Sequence, residues 1–295
     1  MVASFLGFKN MLRYAIVIWT LLLSLSATAI RAEGPLLRAD DTLAIIGGTF
    51  VERLQATAAL ENELQCRRPD WKLRVRNLGW SGDDVHGFAR KVFETDPRRG
   101  RERLLNDLQI TKPTVALIAY GFVEATGGLA AADAFEPGLR MLVQELKDMP
   151  CRVVLMRPFV VPGVRVEDYA VQLSRCSQAV DRVAQDTGSS VVEVRCDQWT
   201  QDGLIPSHEG YESIGKQLAS ALVGGEPCAS ADEELERLIV EKNQLFFHRH
   251  RPQNETYLML FRKHEQGNNA VELPRFDPLI DRLDQLIWKR AAKLE

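Results

Sequence analysis

Five apolar runs, spaced by stretches of helix-forming residues, constrain this chain more than anything else in it. Residues 43–47 are apolar and end in glycines, the pattern of a buried strand. Residues 73–78 alternate Leu73, Val75 and Leu78 with Arg74, Arg76 and Asn77, which suits a strand nearer a sheet edge. Residues 115–120 follow Pro113 as a continuous apolar run. Residues 152–156, closed by Pro158, and residues 190–194 are two more. Helical patterns fill 51–65, 138–147, 167–185 and 211–222. This β-α-β alternation predicts an α/β fold, a parallel sheet covered by helices on both faces in a three-layer α/β/α sandwich. Ligands of such sheets sit outside the carboxyl ends of the strands. The glycine segments 47–48, 79–82 and 121 each follow a strand, so all are expected at that edge.

Past Gly224-Gly225 the pattern changes. Residues 231–247 are charged and amphipathic. Residues 276–293 carry Leu279, Ile280, Leu283, Leu286 and Ile287 at helical spacing. A polar stretch, 248–269, lies between. The main domain is therefore placed at 40–226. A mainly helical extension at 227–295, too small for a large core of its own, packs on it. The first 32 residues read as a secretory signal. Lys9 and Arg13 precede a short apolar run at 15–25, then Ala27-Thr28-Ala29 offers a cleavage site. The run is shorter than the ~20 residues of a bilayer span. A secreted or periplasmic protein starting near Ile30 or Glu33, with no stable membrane span, is the expectation; an uncleaved signal anchor is the alternative.

The net charge of −3 gives no support to a nucleic-acid partner. The five cysteines show no Cys-x-x-Cys spacing and read as small core residues with one disulfide in the C-terminal half. His248-x-His250 lacks a carboxylate at metal-site spacing and reads as part of an arginine-rich segment on the main domain. Neither a metal nor a cofactor is expected.

Three blocks remain: Ile45-Ile46-Gly47-Gly48-Thr49-Phe50, Asn77-Leu78-Gly79-Trp80-Ser81-Gly82-Asp83, and Asp202-Gly203-Leu204-Ile205-Pro206 followed by Gly210-Tyr211. Over about residues 42–224 their order and spacing resemble the SGNH/GDSL hydrolase family. Residues 241–269 resemble an extension found in a secreted bacterial subgroup of it. The resemblance implies a flavodoxin-like sheet and an ester-cleaving site. It puts Thr49 at the nucleophile, with Gly48 for the usual aspartate, and Gly82 at the oxyanion glycine. Val123, in Tyr120-Gly121-Phe122-Val123-Glu124, stands where the family has an asparagine. Asp202 stands at the orienting carboxylate and Ile205 at the catalytic histidine. Thr49 keeps a hydroxyl, but its methyl crowds the line of attack. Valine cannot donate a side-chain hydrogen bond, and isoleucine cannot accept a proton. His208, three residues on, is either a displaced base or a partly exposed helix-start residue; His86 and the C-terminal histidines complete the inventory of bases. The expectation is a disarmed hydrolase that binds a carbohydrate-like or acylated small molecule in the former active-site cleft. The alternative is an active esterase or deacetylase with Thr49 as nucleophile and a relocated histidine base.

Overall fold

The computed structural model describes residues 34–228, 232–258, 260–265 and 269–294, and the signal-like segment 1–32 lies outside them. Five parallel strands make one sheet: β1 (Thr42–Gly47), β2 (Arg74–Asn77), β3 (Val115–Ala119), β4 (Arg152–Met156) and β5 (Ser190–Val192), in the order β2-β1-β3-β4-β5. This is the flavodoxin-like order.

Side chains alternate across each strand, and both faces are apolar, as a covered parallel sheet requires. Ala44, Ile46, Ala116, Ile118, Val153 and Leu155 face one layer, made by α3 (Arg98–Thr111), α5 (Leu129–Asp148) and α6 (Tyr169–Thr187). Leu43, Ile45, Val115, Leu117, Val154 and Met156 face the other, made by α1 (Thr49–Leu54), α2 (Ala59–Arg67) and α7 (His208–Val223). Between α3 and α5, the short α4 (Phe122–Thr126) follows β3 directly. The three-layer α/β/α sandwich is therefore the fold.

Two local readings of the sequence need correction. The helical pattern at 51–65 is two helices, not one. The Thr57 hydroxyl donates to Leu54 O at 3.0 Å and helps close the first helix; the second then turns to pack on α7. The helix α3 had no counterpart in the sequence reading. Only Leu104 and Leu108 of its apolar residues are fully buried, so its apolar stripe is narrow.

The C-terminal extension belongs to the same compact unit, Pro35–Glu295. Its two long helices, α8 (Glu233–His250) and α10 (Asp277–Ala291), bury Leu235, Leu238, Ile239, Leu283 and Ile287 together with Ala58; a short α9 (Glu255–Leu258) lies between them in sequence. Asp232 caps α8 by accepting the Leu235 N–H at 2.8 Å. The extension also covers a sheet edge. Strand β2 pairs with β1 on one side only, which leaves the carbonyls of Leu73 and Val75 outward. Trp288 Nε1 and Gln65 Nε2 each donate to Leu73 O at 2.9 Å, and Lys242 Nζ donates to Val75 O at 3.1 Å. An open edge that would invite another strand is thereby closed.

Candidate functional site

In this strand order the chain leaves β1 for β2 on one side and then crosses to β3 on the other. The β1 and β3 loops diverge there, and that is where α/β sheets bind ligands. A cleft of about 170 Å³ opens at this point. Its lining includes Gly48 and Thr49 after β1, Asp83 after β2, and Tyr120, Phe122, Val123 and Glu124 after β3. Phe159, Val161 and Val164 follow β4, and Trp199, Leu204, Ile205 and Pro206 precede α7.

The Thr49 hydroxyl accepts the Gly82 N–H at 3.0 Å. Gly82 has φ +73° with open space where a Cβ would stand, so backbone conformation alone demands glycine. Gly79 demands it by crowding, since a Cβ would sit 2.3 Å from the Glu52 nitrogen. Side chains tie this loop to α1. Asn77 Nδ2 donates to Val51 O at 2.7 Å. Ser81 donates from its N–H to Glu52 Oε2 at 2.8 Å and from its hydroxyl to Glu52 Oε1 at 2.6 Å. Arg251, just past α8, pairs with Glu52 and lies 3.9 Å over the Trp80 ring. The extension thus braces the loop that carries the Gly82 donor.

Two buried carboxyls border the cleft. Asp83 Oδ2 accepts Arg90 Nε at 2.6 Å and the Tyr120 hydroxyl at 2.7 Å. Burial pushes its pKa up and the Arg90 charge opposes that. With its lone pairs so engaged, Asp83 serves as a strut between loops. Glu124 accepts the N–H groups of Val85 at 2.7 Å and Gly121 at 2.9 Å, and burial pushes its pKa up to about 7 from the usual 4.5. Between those values the folded chain holds a proton that the unfolded chain releases. Stability from this group is therefore full below pH 4.5 and is lost as pH rises toward 7, by up to about 3 kcal/mol. Urea midpoints across pH 4.5–8 should fall more steeply for the wild type than for Glu124→Gln; parallel profiles would dismiss this.

Thr49, Val123 and Ile205 line the one cleft, and Gly82 touches Thr49. Asp202 is exposed and does not line it. Its Oδ1 accepts the Thr200 hydroxyl at 2.7 Å and the Leu204 N–H at 3.0 Å, bonds that hold its pKa below the usual range. His208 does not reach the cleft either. It is the first residue of α7, with Nε2 3.4 Å from Glu212 Oε1, and it lines a separate depression with Asn62 and Glu63. Because it opens α7 three residues past Ile205, its imidazole is carried away from Thr49. His86 Nε2 donates to Ala134 O at 3.2 Å, and His250 Nδ1 meets Asp107 Oδ1 at 2.9 Å. All five histidines are among the described residues, and none lines the cleft.

Sequence reasoning missed the aromatic wall. Phe50 and Phe159 meet edge to face at 5.2 Å, Phe122 and Phe159 at 4.9 Å, and Phe159 and Trp199 at 5.9 Å. Tyr211 stacks on Phe50 at 5.8 Å. A local signal existed for two of them: Phe50 directly follows Thr49, and Phe122 directly follows Gly121.

No protein-family model and no curated protein matches the sequence. Solved structures do match in shape. An α/β hydrolase enzyme, LAE5, from the metagenome of Lake Arreo, Spain, is 20% identical, with a TM-score of 0.52 over 64% of this chain and 98% of its own. A catalytic mutant of Axe2, an acetylxylan esterase from Geobacillus stearothermophilus, is 19% identical, with a TM-score of 0.51 over 63% of this chain and 96% of its own. At that identity the likeness speaks for the backbone alone: the chain has the fold of these hydrolases.

Proposed function

We propose that this chain is a disarmed SGNH-type protein whose cleft binds the acyl part of a small ester without cleaving it. The observation that carries the reading is Ile205. The residue at the family's base position belongs to the apolar lining of the cleft that holds Thr49, and no imidazole lines that cleft. Without a base the Thr49 hydroxyl stays protonated, and with Val123 beside it one oxyanion donor is gone. The remaining walls favour an acyl chain over the carbohydrate-like ligand. Phe50, Phe122, Phe159, Val161, Val164 and Leu204 offer apolar contact and no partner for sugar hydroxyls.

The test uses a series of p-nitrophenyl esters of increasing acyl length. Each added methylene buries about 0.8 kcal/mol worth of apolar surface. Binding, read from tryptophan fluorescence with Trp199→Phe as control, should therefore tighten about fourfold per methylene until the cleft is full. Turnover should be no faster in the wild type than in Thr49→Ala. Flat affinity across the series would remove the acyl-binding reading. A hundredfold loss of turnover in Thr49→Ala would restore the active-esterase alternative.

Export belongs to the same proposal. It rests on residues 1–32, and it fails if secreted material still carries Met1 or if the protein is found only in cytosol.

A further inference from the structure

Away from the cleft, we infer that Cys66 and Cys228 are a redox pair that closes into a disulfide and staples the connector of the C-terminal extension onto α2. The two thiols share a neighbour, Asn62. Cys66 Sγ lies 4.0 Å from Asn62 Oδ1, and Cys228 Sγ lies 3.7 Å from Asn62 O. Both are partly exposed, and Cys228 lines an open depression through which an oxidant can reach the pair.

Contacts that do not involve sulfur bring them together. After α7 the chain crosses the end of α2. There Arg67 donates to Ser220 Oγ at 2.8 Å and to Gly225 O at 3.2 Å, and Arg68 donates to Val223 O at 2.8 Å. The Cys228 N–H then reaches Glu63 Oε2 at 3.4 Å. A disulfide forms readily where the fold has already juxtaposed its thiols. The pair spans both halves of the chain, in contrast to the bridge expected within the C-terminal half. The other three cysteines are placed differently. Cys151 and Cys176 are buried, with thiols pushed up to about 12 by desolvation, and Cys196 donates to Gln198 O at 3.2 Å.

The chemistry needs an oxidant with a disulfide of its own, such as oxidised glutathione. The neighbouring Cys228 thiol holds the Cys66 pKa below the usual thiol range, so Cys66 is the attacking thiolate. It displaces one thiol from the oxidant and forms a mixed disulfide. Cys228 then gives up its proton and displaces the second thiol. One oxidant disulfide becomes two thiols, and two protein thiols become one S–S bond.

The experiment exposes the native protein to oxidised glutathione, then alkylates it in denaturant without reduction. Five titratable thiols should fall to three, with a peptide pair linking Cys66 to Cys228 after digestion. Cys228→Ser should stop at a glutathione adduct on Cys66, and Cys66→Ser should form an adduct far more slowly. The loop closed between positions 66 and 228 is long, so oxidation should raise the wild-type melting midpoint by about 10 °C and leave Cys228→Ser unmoved. Five thiols persisting after oxidation, or a bridge mapped to any other pair, overturns the inference.

Discussion

Ile205→His combined with Val123→Asn is expected to raise hydrolysis of a short acyl ester a hundredfold or more, and adding Thr49→Ala is expected to remove that gain. The two replaced side chains line the same cleft as Thr49, so an imidazole and an amide introduced there enter the space where an ester carbonyl would be attacked. A positioned base contributes roughly 10²–10⁴ in rate, and one oxyanion donor about 2.7–4 kcal/mol. These effects are not additive. One feature keeps the expected gain near the lower end. The Asp202 carboxylate is exposed and already accepts from the Thr200 hydroxyl and the Leu204 N–H, so it is not free to orient a new imidazole. The Gly82 N–H is already on the Thr49 hydroxyl oxygen at 3.0 Å, a distance from which it can serve an oxyanion formed beside it. A double variant that binds the ester yet shows no gain would mean that Thr49 is not placed to attack. A gain that survives Thr49→Ala would mean that another group is the nucleophile.

The layers of this protein were legible from its sequence because their signals are local and repeat. Short apolar runs such as 115–120, bounded by Pro113 and Gly121, suit buried strands by their length and flanks, and the glycines at 47–48, 79–82 and 121 mark the turns that follow them. The cleft was half legible for the same reason. Thr49, Val123 and Ile205 were placed by block order, and they line one cleft. The remainder depends on contacts between distant positions. Phe50, Phe159, Trp199 and Tyr211 form a single wall, yet they are scattered over some 160 residues in which no period links them. His208 is only three residues from Ile205, and a helix start turned it toward Glu212. The end of α1 turns on one hydroxyl, that of Thr57. The sealing of the β2 edge by Lys242 and Trp288 links positions more than 160 residues apart, and a lysine in an amphipathic stretch carries no sign that it will be buried.

Lys242 is also where the largest loss of stability is expected. Its side chain is fully buried, paired with Glu61 and donating to Val75 O. Arg76 and Asp284, also buried, pair beside it. The four charges sum to zero between the extension and the edge strand. Burial pushes the Glu61 pKa up, the Lys242 charge opposes that most strongly, and Arg76 adds to the opposition. Lys242→Ala leaves Glu61 and Asp284 sharing Arg76 and strips Val75 O of its donor. Breaking a buried pair from one side costs about 3–5 kcal/mol, which for a chain of this size lowers the melting midpoint on the order of 10 °C. Removing both partners, as Lys242→Met with Glu61→Gln, strands no charge and should recover most of that loss. Acidity separates this account from simple loss of packing. In the single variant Glu61 has lost its main counter-charge, so its folded-state pKa rises further above the unfolded value. A carboxyl shifted upward favours the folded state at low pH and loses that contribution as pH rises through its folded pKa. The deficit of Lys242→Ala relative to wild type should therefore be smaller at pH 5 than at pH 8. A deficit of Lys242→Ala that is independent of pH would assign the loss to the missing methylenes instead, and one equally large in the double variant, which keeps an apolar chain there, would mean that a stranded charge is not its cause.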